Sequence, residues 1–161
     1  MINVRPAISL DAGSMAVLLN RIIEIGGTTA KTSPVTAQDL SDWMRNDHKR
    51  SAWHVAVDKE ERVVGFQWIA PHPNLPPVAA DIATFVEVGQ TGLGIGSALF
   101  EATKNAAKTL GFQWINATIR ADNEGGLIYY QSRGFLPYGR LEDVQLANGQ
   151  KVDKVLKRFE L

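Results

Sequence analysis

Apolar positions along this chain recur with two periods, and their alternation predicts the order of its elements. Residues 2–5 read as a short strand. After Asp11, which can cap a helix, Met15, Leu18, Leu19, Ile22 and Ile23 recur at helical spacing until Gly26-Gly27 stops them. The polar stretch TTAKTSP ends in Pro34 and reads as a loop before a second helix over 36–46, capped by Thr36. Two β-rich runs, 52–57 and 62–69, flank a turn at Asp58-Lys59-Glu60-Glu61 and predict an antiparallel pair. Pro71, Pro73, Pro76 and Pro77 forbid regular pairing in the next segment.

A strand over 80–88, the turn GQTGLGIG, a helix over 95–110 and a strand over 112–119 then form one strand, helix, strand unit. Its strands run parallel, because a connection of that length makes a right-handed crossover. Ile95, Ala98, Leu99, Ala102, Ala106 and Leu110 are expected on the helix's buried stripe. A short helix capped by Asp122 or Asn123 runs to Arg133, where Gly134 ends it. Two further strands, 139–146 and 152–160, meet at Asn148-Gly149. The prediction is an α/β fold.

Length and composition narrow the function. A chain of 161 residues has room for one domain with a proper core, taken here as 1–161. Lys plus Arg and Asp plus Glu each number 17, so no net field gathers polyanions, and neither nucleic acid nor a membrane surface is an expected partner. The chain contains no cysteine, which excludes disulfides, thiolate metal sites and thiol nucleophiles and suits a reducing cytoplasm. No apolar run approaches a membrane span and no leader pattern opens the chain, so the whole chain is expected to be cytoplasmic. His48, His54 and His72 lie at no ligand spacing, and no metal is expected.

The glycine turn is where chemistry first becomes specific. Gly89, Gly92, Gly94 and Gly96 join a strand to an amphipathic helix, where successive backbone N–H groups at a helix N-terminus can hold a phosphate. Gly92, Gly94 and Ser97 nearly fit a dinucleotide fingerprint, which would imply a redox enzyme. That fingerprint normally opens a parallel series and is followed by an acid at the end of the next strand, whereas here antiparallel strands precede it and Arg120 stands at that end. A Walker loop fails for want of Gly-Lys-Ser/Thr.

GLGIGSALFEATKNAAKTLG followed by NATIRADNEGGLIYYQSRGF resembles the acetyl-CoA-binding core of the Gcn5-related N-acetyltransferases, through the glycine turn and the downstream Asn123, Gly126, Tyr130, Gly134 and Phe135. LLNRIIEIGGTTAKTSPVTAQDLSDWM and the segment from Arg133 to the end resemble the phosphinothricin N-acetyltransferase branch, so the likeness covers nearly the whole chain. The resemblance implies a mixed, partly splayed sheet flanked by helices, a homodimer, and transfer of acetyl from acetyl-CoA to the primary amine of a small molecule by direct attack. A protein or peptide acetyltransferase and a CoA-binding module without turnover are the alternatives. It also implies cofactor contacts from Phe85 and Val86 on a splayed strand edge, from Thr91, Gly92, Leu93, Gly94, Ile95, Gly96 and Ser97 on the turn, and from Asn123, Gly126 and Tyr130. Two of these depart from the family pattern. Thr91 replaces an Arg or Gln three residues before a G-x-G. Gly126 replaces Ala or Ser, costing about 1 kcal/mol of helix propensity while letting the cofactor approach closely.

Amide formation requires a deprotonated amine, a polarised thioester carbonyl and a protonated leaving thiolate. By resemblance Tyr130 is the acid, a phenol that keeps its proton at neutral pH, and neighbouring Tyr129 points elsewhere round the helix. Alternation puts Asp81, Ala83 and Phe85 on one strand face and Ile82, Thr84 and Val86 on the other. Asp81 falls where the branch has a catalytic Glu and is the expected base, directly or through water, with Glu87 second. Glu24, Lys31 and Trp68 are expected to line the acceptor pocket. The branch carries an acceptor-gripping Arg in the segment that here reads APHPNLPPVAAD, which has neither Arg nor Lys, so acceptors without a carboxylate are expected.

Overall fold

The computed structural model describes residues 1–47, 49–90 and 94–161. Seven strands make one sheet in the order β1-β2-β3-β4-β5-β7-β6: β1 (Asn3–Pro6), β2 (Ala52–Val57), β3 (Val63–Ala70), β4 (Ala79–Val86), β5 (Trp114–Arg120), β6 (Leu136–Gln145) and β7 (Lys151–Glu160). The sheet is mixed and open: every neighbouring pair is antiparallel except β4 with β5, which is parallel. Helices α1 (Ala12–Ile25), α2 (Ala37–Asn46), α3 (Ile95–Thr109) and α4 (Glu124–Ser132) flank it.

Two apolar layers form on either side. On one face, Met15, Leu18, Leu19 and Ile22 of α1 and Leu40 of α2 pack on Val55, Phe66 and Phe85. On the other, Phe100 of α3 and Tyr130 of α4 pack with Ile69, Ile82, Ile115 and Phe135, while Ile95 and Leu99 cover Ala56 and Val64. Strand alternation holds as expected, with Phe85 and Ala83 in the first layer and Ile82 in the second. α2 opens with the cap its sequence signals: Thr36 Oγ1 accepts from Asp39 N at 3.0 Å, and Asp39 returns a carboxylate to Thr36 N at 2.9 Å.

Three local expectations are corrected. Asp11 does not cap α1 with its side chain. Its carboxylate turns back through a short 3₁₀ turn, accepts from Ile8 N at 2.8 Å and binds Arg5 bidentately at 2.8 and 2.9 Å. The buried stripe of α3 is Ile95, Leu99, Phe100, Thr103 and Ala107, with Ala98, Ala102 and Ala106 only half-buried. Phe100 rotates the helix this way by entering an aromatic cluster with Phe135 at 5.5 Å and Phe159 at 5.2 Å. β6 begins at Leu136, three residues earlier than expected, and pairs with Arg158 there.

Candidate active site

The site is defined by a parting of strands. β4 and β5 pair only at Ala79 with Trp114, Ala80 with Ile115 and Asp81 with Asn116. Beyond that point 82–86 have no partner on the β5 side, although β5 itself continues along β7 to Arg120. A wedge therefore opens through the sheet with Asp81 and Asn116 at its apex and unpaired backbone groups on its β4 edge, where an extended ligand can add as a strand.

On the α1 and α2 side, the buried Asn116 amide donates to Asp81 Oδ1 and to Thr118 Oγ1, both at 2.9 Å. Tyr138 O–H of β6 donates to Asn116 Oδ1, which turns the N–H end of the amide toward Asp81. Burial pushes the Asp81 carboxyl above its ordinary range, while the Asn116 hydrogen bond and the charges of His72 and Lys154 act the other way. Arg158 lies 3.9 Å over the Trp114 ring and is held by Glu160 at 2.6 Å. Asn116 and Tyr138 are site residues the sequence reading missed, as is Arg158.

The aromatic residue expected at the acceptor, Trp68, and its ring neighbours lie on this same face. Trp68 pairs with Ala83, two residues along β4 from Asp81, so Trp68 and Asp81 are diagonal neighbours. Trp68 stacks on Trp53 at 3.9 Å, and both indole N–H groups donate to Asp47, at 2.6 and 2.7 Å. Trp68, Trp43, Asp42, Asn46 and Asp47 line an open pocket of about 270 Å³. The Lys31 ammonium sits 4.2 Å over Trp43, and burial lowers its pKa. Glu24 is exposed on the last turn of α1, and Glu87 is tied to Arg21 at 2.6 Å and Gln90 at 3.1 Å.

Beneath the wedge, on the α3 and α4 side, Tyr130 is buried with its hydroxyl 2.8 Å from Thr84 Oγ1 of β4. Burial raises its pKa above the ordinary phenol range, and that of Tyr129 to about 12. Tyr129 is no bystander: its O–H donates to the Gly96 carbonyl at 2.7 Å and its oxygen accepts from the wholly buried Gln67 at 3.1 Å. Gln67 also donates to Thr84 Oγ1 at 2.9 Å, and among the described residues its own carbonyl oxygen has no partner.

The glycine turn delivers a helix N-terminus. Thr91, Gly92 and Leu93 lie outside the described residues. Gly94 caps α3 at φ 78°, a left-handed conformation in which a side chain is strained, and among the described residues none beyond its chain neighbours and its own helix comes within 4 Å of where its Cβ would be. Ala98 N donates to Gly94 O at 3.0 Å, and among the described residues the preceding amides of Ile95, Gly96 and Ser97, at the positive end of the helix dipole, have no acceptor. Arg133 of the α4 end donates to Ser97 Oγ at 2.6 Å, and its buried Nε has no partner among the described residues. These open donors suit a phosphate-bearing acyl donor. Asn123 caps α4 by accepting from Gly126 N at 2.9 Å and also donates to Thr28 O at 3.2 Å. A Cβ on Gly126 would meet that Asn123 amide at 2.5 Å, so a larger residue here would make the capping side chain shift.

A mixed sheet split between parallel strands, with a helix N-terminus whose amides can receive an anion beside the split, suits an acyl-CoA-dependent transferase. The profile of the acetyltransferase (GNAT) family matches residues 21–135, and the chain belongs to that family. It is an N-acetyltransferase that uses acetyl-CoA, of the phosphinothricin acetyltransferase-like kind. The phosphinothricin N-acetyltransferase of Streptomyces viridochromogenes is 24% identical over 150 residues, covering 92% of this chain and 81% of its own. The crystal structure of a GNAT-superfamily phosphinothricin acetyltransferase from Sinorhizobium meliloti, in complex with acetyl-CoA, superposes with a TM-score of 0.89 at 18% identity over 99% of this chain and 88% of that one. A ribosomal-protein-alanine N-acetyltransferase from Brucella melitensis shares the fold equally well, at TM-score 0.89 and 21% identity over 99% of each chain.

Proposed function

We propose that the enzyme acetylates the primary amine of a small molecule by direct attack on acetyl-CoA, in a ternary complex assembled across the wedge. The observation that carries this reading is the placement of Asp81 and Tyr130 on opposite faces of the sheet at the same parting of β4 from β5. The donor's phosphates lie at Gly94, Ile95, Gly96 and Ser97, its extended arm runs along the open edge at Phe85 and Val86, and the acceptor comes from the α1 and α2 side. Asp81, held by Asn116, takes a proton from the acceptor ammonium directly or through one water. The freed nitrogen attacks the thioester carbon, the carbon–sulfur bond breaks, and the departing sulfur receives a hydrogen bond and then a proton from Tyr130; the second nitrogen proton, lost as the amide forms, returns through water to the Tyr130 oxygen, and Asp81 releases its proton to solvent. A phenol this weakly acidic keeps its proton until the sulfur carries charge, which suits a donor to a leaving thiolate.

The acceptor carries no carboxylate beside its nitrogen. Such a group would approach the buried Asp81 carboxylate and share with it the positive charges felt there, those of His72 and Lys154, while Lys31 lies over Trp43 and Arg158 is paired with Glu160. Competing phosphinothricin and methionine sulfoximine against their decarboxylated analogues tests this: specificity constants should favour the analogues, and a preference for the amino acids would overturn it. The protein acts as a homodimer, a reading supported by β6, an edge strand exposing Leu136, Tyr138 and Leu141, and its lack of cysteine suits a reducing cytoplasm. Light scattering of the purified protein would return twice the 17.6 kDa chain mass.

A further inference from the structure

We infer that Gln67 and Thr84 are positioning residues that fix the direction of the hydrogen bond reaching Tyr130, so that the Tyr130 proton is aimed at the departing sulfur rather than spent on the protein. This rests on Tyr130 acting as the acid. The direction follows from counting protons along the buried chain of groups beneath the wedge. The Gly96 carbonyl can only accept, so the single Tyr129 O–H proton goes to it over 2.7 Å. Toward Gln67, 3.1 Å away, Tyr129 can then only accept, which requires the NH₂ end of the Gln67 amide to face it.

With the amide fixed, its second N–H is given to Thr84 Oγ1 at 2.9 Å. Among the described residues the Thr84 hydroxyl has one further partner, Tyr130, at 2.8 Å. Were Tyr130 to donate to Thr84 as well, the Thr84 proton would have no acceptor. Thr84 therefore donates to Tyr130, and the Tyr130 proton is left for a group outside this chain of residues. A sulfur arriving in the wedge meets an O–H already free to turn to it, with its oxygen supported from behind by Thr84. The unpartnered Gln67 carbonyl oxygen, buried in the sheet, is what that orientation of the amide leaves exposed to no donor.

Thr84→Val removes the donor to Tyr130 while keeping side-chain volume, and Thr84→Ser restores it. Hydroxylamine is the acceptor for this test, because it is unprotonated at neutral pH and bypasses both acceptor recognition and Asp81. Thiol release from acetyl-CoA is measured for the wild type, the two Thr84 variants, Tyr130→Phe and the Thr84→Val/Tyr130→Phe double variant, with CoA affinity measured by calorimetry. The expected result is a roughly tenfold fall in kcat for Thr84→Val, CoA affinity within twofold, near wild-type rates for Thr84→Ser, and no further loss when Thr84→Val is added to Tyr130→Phe. An equal loss from Thr84→Val in both backgrounds, or an unchanged kcat, would overturn the inference while leaving Tyr130 as the acid. A Tyr130→Phe variant as fast as the wild type would remove the acid itself, and this inference with it.

Discussion

Replacing Gly96 by alanine probes the lock that holds α4 against the start of α3. In an ordinary helix the change would stabilise by about 1 kcal/mol through propensity alone. Here the new Cβ would lie 2.6 Å from Tyr129 Cε1 and 3.3 Å from Cδ1 and Cζ. The ring cannot swing aside freely, because its hydroxyl is bonded at once to the Gly96 carbonyl and to Gln67. Overpacking of this kind costs about 1–3 kcal/mol, and loss of the Tyr129 hydrogen bond about 1 kcal/mol more. The net expectation is destabilisation of about 1–3 kcal/mol, which for a chain of this size lowers Tm by about 2–12 °C. Gly125→Ala is the control: its Cβ would find only an Asn123 oxygen at 3.9 Å, so propensity should prevail and stability rise by about 0.5–1 kcal/mol. Urea titrations of both variants, read as midpoints at unchanged slope, make the comparison. A Gly96→Ala protein as stable as the wild type would show that the Tyr129 ring yields, and would dissolve the lock on which the Gln67 orientation depends.

Other expectations follow from the same geometry. Tyr130→Phe should lower turnover by roughly 10² with acetyl-CoA affinity nearly constant, while Tyr129→Phe costs less than tenfold; equal effects would mean the acid is misassigned. Because the Asp81 pKa is raised on folding, its charged form weakens the fold, a penalty absent below the unfolded value and complete above the folded one. Asp81→Asn should therefore be at least as stable as the wild type at neutral pH, an advantage that vanishes as acid protonates Asp81, and urea midpoints across pH check the sign. Its turnover relative to wild type should be lowest just above the Asp81 pKa and recover as pH nears that of the amine; a flat ratio would make Asp81 structural. Gly94→Val, straining a residue at φ 78°, should weaken CoA binding at least tenfold, about 1.4 kcal/mol, in a protein that remains folded, and calorimetry reads it directly.

What could be read in advance was what local pattern controls. The two-residue period of β4 separates Asp81 from Thr84, and the glycines mark a turn needing positive φ, which Gly94 adopts. What escaped depends on partners distant in sequence. Asn116 meets Asp81 across 35 residues and Tyr138 across 22, through strand pairings that no periodicity announces. A cue existed nonetheless: Asn116 interrupts the apolar run of β5 and Gln67 that of β3, and a polar side chain buried in such a strand must find partners. Tyr129 looked like a decoy because helix geometry turns it away from Tyr130, yet that direction is what carries it to Gly96. Asp11 sat where a cap belongs, but Arg5, brought alongside by β1, offered a stronger, charged partner.

The most direct measurement is release of free thiol from acetyl-CoA, with and without a panel of carboxylate-free primary amines, followed by mass analysis of the amines. Thiol release that depends on the amine, matched mole for mole by an N-acetylated amine and accompanied by no acetylated protein side chain, is the predicted result. Tight acetyl-CoA binding with no amine-dependent release, or release matched only by acetylation of added peptides, would contradict it.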